Sequence, residues 1–148
     1  KETFTLSVED IDKILKTAEA YDQENWAQGK KTSAMYHLIL LAISTGCRRG
    51  ELLGLKWNAV DATSNIITIR SNLVEVYGKI HIETPKTRSS KRTIALDKIV
   101  LDKLLELKDK HEVKSPWVFH NRLGEHLFPS NVGRNFGIIR KRAGLPHI

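Results

Sequence analysis

The stretch Thr45-Gly46-Cys47-Arg48-Arg49-Gly50-Glu51-Leu52-Leu53-Gly54-Leu55 decides how this chain is read. It follows Ser33 to Ser44, a segment apolar on nearly every side, which predicts a helix in the middle of the core. Thr45-Gly46 stops that helix, because glycine tolerates the left-handed backbone of a helix end. A short third helix is expected over Arg49 to Leu55. Arg48 then occupies a turn anchored by two packed helices. A guanidinium held rigidly there is a fork that matches two phosphate oxygens. Glu51, three residues on, can orient Arg48 or hold the turn. A solvated Arg-Arg pair at a helix start is the alternative reading of the same residues.

Upstream, Ser7-Val8-Glu9-Asp10 carries a capping-box signal, with Val8, Ile11, Leu15 and Ala18 at helical spacing behind it. A first helix is expected from about Ser7 to Glu24, and a polar loop over Asn25 to Lys31. Downstream, Ile66-Ile67-Thr68-Ile69-Arg70 is β-branched and reads as a strand. Leu73 to Tyr77 and Lys79 to Glu83 flank Gly78 as a hairpin. Arg92 to Leu96 reads as a further strand, after a polar, basic loop over Thr84 to Lys91. Asp97 to His111 predicts a helix with Val100, Leu104 and Leu107 on one face. Pro129-Ser130-Asn131 opens a last helix, with Val132, Phe136 and Ile139 inward and Arg134, Arg140, Lys141 and Arg142 available to the outside. Helices at both ends with an antiparallel sheet of about three strands between them give an α+β class. Residues 1–148 are expected to form one domain, without repeats or a linker.

Composition excludes several classes. The chain has 148 residues, 41% of them apolar, which suffices for a core without staples. Its one cysteine cannot form an intramolecular disulfide, which suits a reducing compartment. No apolar run approaches the roughly 20 residues of a membrane span, and Lys1 to Ser7 lack the apolar stretch of a signal peptide. The net charge is +7, unevenly spread. Residues 1–47 hold 5 basic and 7 acidic side chains, whereas residues 48–148 hold 19 and 10. A basic face of that kind suits DNA or RNA, and a merely soluble basic domain is the plain alternative.

The other cationic stretch is Pro85-Lys86-Thr87-Arg88-Ser89-Ser90-Lys91-Arg92. Lysines interleaved with hydroxyls bind phosphate backbones, and a lysine with a lowered pKa can serve as a general acid. A flexible basic hairpin that contributes only charge is the alternative. His37, His81, His111, His120, His126 and His147 show no metal-ligand spacing, so no metal site is expected. Cys47 reads as a small buried core residue. Trp26, Trp57 and Trp117 read as packing anchors.

The two basic stretches, in this order and separation, resemble the catalytic domain of tyrosine recombinases of the phage integrase type. Thr45-Gly46-x-Arg48-x-Gly50-Glu51-Leu52 is similar to that family's first-arginine motif. Leu55-Lys56-Trp57 and Val60-Asp61 follow it as the family's short helix does. Pro85-Lys86-Thr87 and Arg92-Thr93-Ile94-Ala95-Leu96 resemble the β-hairpin that bears the family's catalytic lysine. Val118-Phe119, Asn131-Val132 and Ala143-Gly144-Leu145-Pro146-His147-Ile148 resemble the run into the second half of the active site.

The resemblance implies a mostly helical DNA breaking-rejoining domain with a small antiparallel sheet. It implies a site-specific recombinase or integrase that cuts and rejoins double-stranded DNA at attachment or core sites through a 3′-phosphotyrosyl link, without a cofactor. Arg48 corresponds to the first arginine, Lys86 to the lysine that protonates the leaving oxygen, and Glu51 to the supporting acid. Thr87, Arg88, Lys91, Arg134 and Lys141 are expected to contact DNA. The resemblance further implies a mobile genetic element, a homo-tetramer on DNA, and the cytoplasm of a bacterium. The family's His-x-x-Arg motif, a further His or Trp and the tyrosine nucleophile come later than Ile148, and Tyr21, Tyr36 and Tyr77 sit in the wrong places to be that nucleophile. These residues alone are therefore expected to bind DNA weakly and not to cleave it. A recombinase-like DNA-binding module without cleavage is the alternative, and a basic RNA-binding domain a more distant one.

Overall fold

The computed structural model describes residues 6–84 and 91–146. Its first helix, α1 (Val8–Ala27), begins in the expected capping box: the Ser7 hydroxyl accepts the Asp10 amide at 3.0 Å, and Asp10 accepts the Ser7 amide at 3.3 Å. The helix outlasts the expected end at Glu24, because nothing before Gly29, at φ +88°, breaks it. Ile14, Ala18 and Asp22 form its buried stripe.

Asp22 is there for α2 (Met35–Thr45). Ala34, at the start of α2, has no side chain to cap it. The Asp22 carboxylate reaches over from α1 instead and accepts the Met35 and Tyr36 amides at 3.0 and 2.8 Å, with the Ser33 hydroxyl at 2.6 Å. One acidic group thus joins two helices and meets the positive end of the second one's dipole. At the far end of α2, Gly46 takes the left-handed conformation at φ +71° and its amide bonds to Ala42.

After that turn come α3 (Arg49–Leu53) and a 3₁₀ turn over Trp57–Ala59. Leu52, Leu53 and Leu55 are buried and pin the short helix from below. Three strands, β1 (Val60–Asp61), β2 (Ile66–Ile69) and β5 (Arg92–Ala95), form an antiparallel sheet in the order β1-β2-β5. The two-residue strand β1 escaped the sequence reading; its pairing is fixed by β2 rather than by its own length. The hairpin around Gly78 is present as β3 (Asn72–Val76) and β4 (Lys79–Glu83). Its turn residues Tyr77 and Gly78 both have positive φ, 50° and 74°, the geometry that matches strand twist across a two-residue loop. The hairpin makes a sheet of its own, apart from β2 and β5.

The hairpin's first strand carries α3. Gly50 lies so close to it that a Cβ there would fall 2.5 Å from the Leu73 carbonyl oxygen. Gly54 repeats this one turn on, where a Cβ would fall 2.9 Å from the Ser71 hydroxyl. The two glycines let a helix and a strand approach backbone to backbone.

Two longer helices close the fold, α4 (Lys98–Lys110) and α5 (Pro129–Arg142). Val100, Leu101, Leu104 and Leu107 of α4 and Val132 and Ile139 of α5 join the core around Leu41, Leu52 and Phe119. Between them, Val118 donates its amide to Leu55 and Trp57 donates to Pro116, which stitches the α4–α5 connection to the end of α3. The result is the expected α+β class.

Two stability predictions follow from buried polar groups. Replacing Asp22 by Ala orphans two helix-end amides and a hydroxyl, and should cost about 2–3 kcal/mol in urea denaturation; a loss below about 0.5 kcal/mol would show that α2 does not depend on this cap. The second concerns His37 and His111. Burial, with Lys110 and Lys103 nearby, pushes the His37 imidazole down to about 4. Burial, with His120 4.7 Å away ring to ring, also pushes His111 down to about 4. An unfolded histidine takes up its proton near 6.5. The unfolded state therefore binds more protons in that window, and stability is full above about pH 6.5 and falls as the pH drops toward 4. Each histidine should account for about 1–2 kcal/mol between pH 7 and pH 5. Denaturation of His37→Gln and His111→Gln should show a flatter acid slope, and an unchanged slope in both contradicts the assignment.

Candidate functional site

The turn between α2 and α3 is held by one carboxylate. Arg48 has extended backbone, φ −73° and ψ 152°, at the start of α3. Glu51 folds back across the first turn, and its Oε1 accepts the Arg48 amide at 2.9 Å. The same carboxylate accepts a two-pronged contact from Arg92, Nη1 to Oε2 at 2.7 Å and Nη2 to Oε1 at 3.0 Å. Arg92 Nη2 also lies 3.6 Å from the sulfur of Cys47. The guanidinium thus spans residues 47 and 51, on either side of Arg48.

The ionisation states are clear. The Arg92 fork holds the Glu51 carboxyl below its usual range, against a smaller opposing effect of burial, and the Arg48 amide adds to it. Arg92 is pushed further up by the same pair. Glu51 is thus a carboxylate at neutral pH with its donors assigned. The Glu51 side chain is 15% exposed and that of Arg92 is 46% exposed, so the pair sits at the rim rather than in the core.

Arg48 itself is exposed, and among the described residues no carboxylate lies within ion-pair distance of it. With Arg49 it lines an open groove of about 760 Å³. Asn72 and Tyr77 of the hairpin and Pro129 and Ser130 of α5 form its other walls. At that last wall the Glu75 carboxylate accepts the Ser130 amide at 2.9 Å and its hydroxyl at 3.0 Å, which ties the hairpin to the start of α5.

The remaining expected site residues divide. Lys86, Thr87 and Arg88 lie outside the described residues. Lys91 is exposed, immediately before β5. Arg134 and Lys141 are both exposed on α5, and seven residues apart they share one side of the helix. Arg134 donates to Asn131 at 3.1 Å, and neither cation is bonded to the Arg48–Glu51–Arg92 group. Arg140, expected to face outward, is half-buried and donates to the Leu145 carbonyl at 3.0 Å, closing the turn after α5. Arg142 pairs with Glu24 at 2.7 Å.

Arg92 escaped the sequence reading as a site residue. It reads as the last cation of the basic stretch and the first residue of a strand. Alternation along Arg92-Thr93-Ile94-Ala95-Leu96 puts it on the same side as Ile94 and Leu96, while Arg92 itself is exposed at the strand's end. The tryptophans behave as anchors, each with a lysine over its ring: Lys110 on Trp26, Lys108 on Trp57 and Lys56 on Trp117. Among the described residues no group of three or more His, Cys, Asp or Glu is placed to hold a metal ion.

The profile of the Phage integrase family matches residues 5–148 of the chain. The protein belongs to the phage integrase family. A relative described as a tyrosine recombinase XerC-like protein, from Caldanaerobacter subterraneus subsp. tengcongensis, is 29% identical over 133 aligned residues. That alignment covers 74% of this chain and 34% of the relative. The ICEBs1 integrase of Bacillus subtilis is 36% identical over 66 residues, 45% of this chain and 18% of that protein. The chain thus spans about a third or less of the length of these curated relatives. Among solved structures, the Tn1549 transposon integrase in complex with a circular intermediate DNA superposes with a TM-score of 0.78 at 20% identity, over 99% of this chain and 47% of that one. A lambda integrase tetramer bound to a Holliday junction superposes with a TM-score of 0.62 at 22% identity, over 99% of this chain and 37% of that one. At these identities the superpositions establish that the integrase fold is shared.

Proposed function

We propose that these residues are the first part of the catalytic domain of a site-specific recombinase, which cuts and rejoins double-stranded DNA through a 3′-phosphotyrosyl intermediate. The observation that carries the reading is Arg48: a guanidinium without a carboxylate partner among the described residues, on a backbone locked between Gly46 and Glu51, facing an open groove. A cation fixed in this way costs little to reorganise when charge develops on a phosphate, which is the condition for lowering a barrier electrostatically.

In this mechanism a tyrosine oxygen attacks the scissile phosphorus. The bond to the 5′-oxygen breaks as the bond to tyrosine forms, so the phosphate diester is conserved and no nucleotide is consumed. Arg48 neutralises charge on the non-bridging oxygens. Lys86 gives a proton to the departing 5′-oxygen. Glu51 keeps the Arg48 turn in shape. The nucleophile, the second arginine and the remaining histidines belong to a segment beyond Ile148, in keeping with the share of its relatives that the chain covers. These residues alone are therefore inactive. Thr87, Arg88, Lys91, Arg134 and Lys141 hold the DNA backbone. The full-length protein works on attachment or core sites of a mobile element, as a tetramer, in the cytoplasm where that DNA lies. No helix among the described residues is long and apolar enough to cross a membrane.

The reading is tested with the full-length protein and a nicked duplex spanning the junction of its element with flanking DNA. Arg48→Ala should lower the rate of covalent protein–DNA complex formation by about 10²–10³-fold, with Kd for the duplex changed less than about threefold, since the lost interaction belongs to the transition state. Undiminished covalent complex in this variant contradicts the role of Arg48, and no covalent complex in the wild type contradicts the recombinase reading. For the backbone contacts, Lys91→Ala, Arg134→Ala and Lys141→Ala should each reduce the slope of log Kd against log salt by about 0.9. A residue whose removal leaves the slope unchanged does not touch phosphate.

A further inference from the structure

We propose that Arg92 is a positioning residue for Arg48: its fork, closed on Glu51, fixes that carboxylate against the Arg48 amide and so sets the direction in which the Arg48 side chain leaves the turn. The proposal rests on the reading of Arg48 given above and extends it to a residue outside the motif.

The geometry carries it. Oε1 of Glu51 receives both the Arg48 amide and Arg92 Nη2, and Oε2 receives Arg92 Nη1. A carboxylate gripped on both oxygens by a planar guanidinium has its plane fixed, whereas one bonded only to an amide can swing about its last torsion. Arg92 brings a frame of its own. It stands on β5, opposite Ile69 of β2, and is 41 residues from Glu51 in sequence. Through Glu51 it refers the arginine turn to the sheet, and through the Cys47 sulfur it touches the residue on the other side of Arg48. A helix of five residues cannot hold such a turn alone.

The exposure of the pair decides what kind of effect to expect. An ion pair this near solvent contributes little to global stability. Its consequence is local, in the orientation of one backbone turn. Lysine cannot replace the fork, because an ammonium is a point charge that cannot engage both oxygens in one plane.

The test uses the full-length protein and the same nicked duplex, with Arg92→Ala, Arg92→Lys, Glu51→Gln and the double variant Glu51→Gln/Arg92→Ala. At saturating DNA, Arg92→Ala should slow single-turnover covalent complex formation by about 30-fold or more while Kd moves less than about threefold. Arg92→Lys should recover only part of the rate. The double variant should be no slower than the slower single variant, because both act through one contact. Loss of Arg92 also removes the main influence that keeps Glu51 ionised, so the acid limb of the rate profile should move to higher pH. A wild-type rate in Arg92→Ala overturns the proposal. So does a loss confined to DNA affinity or melting temperature with the single-turnover rate unchanged. If the wild type binds DNA but forms no covalent complex, the recombinase reading fails by itself, and hydrogen exchange at the Arg48 amide then decides the positioning: Arg92→Ala should speed it at least about tenfold, and an unchanged rate overturns it.

Discussion

Everything at the groove depends on one carboxylate with more donors than it has oxygens. Glu51 receives an amide from its own helix start and a two-pronged contact from a strand 41 residues away. Neither would suffice alone. The amide bond closes a turn on a helix too short to be stable by itself, and the ion pair is too exposed to contribute much to global stability. Together they bind the turn to the sheet. The apolar side of α3 completes the clamp, since Leu52 and Leu53 have no exposed surface, Gly50 lies directly on β3 and Gly54 on Ser71 just before it. Arg48 is thus carried on a backbone restrained from three directions, and its side chain is left outside.

The same device recurs. Asp22 caps α2 from α1, Glu51 caps α3 from within, and Glu75 caps α5 from β3. In each case a carboxylate meets the positive end of a helix dipole, where an anion is favoured. Two of the three also join elements distant in sequence.

Some of this was legible in the sequence and some was not, for physical reasons. Local signals served well. The box at Ser7 and Asp10, the stop at Gly46, the turn at Gly78 and the β-branched run at Ile66 each act within a few residues, and each element formed where its signal lay. Arg48 and Glu51 were legible as a pair because they share one helical turn. What escaped depends on contacts across long sequence separations. Asp22 carries no local sign of its role; only the packing of α1 on α2 turns it into a cap. Arg92 reads as a cation at the start of a strand, and nothing within a few residues of it points to Glu51, 41 residues away. His111 and His120 are nine residues apart and meet only because the chain doubles back after α4. That the hairpin would stand apart from β2 and β5 was unreadable, since strand pairing is set by which partners the core brings within reach.

The contrast between Arg48 and Arg92 is the last step. Both lie at the same turn, and a basic composition does not tell them apart. A guanidinium closed on a carboxylate in fork geometry has its best donors occupied, and a phosphate competing for them would have to displace a charged partner already in place. Arg92 is therefore a poor phosphate ligand for the same reason that it is a good anchor. Arg48 has the opposite properties: its amide is committed to Glu51 while its guanidinium has no carboxylate partner among the described residues. One carboxylate thus divides the labour between two arginines, using one to fix the frame and leaving the other to face the groove.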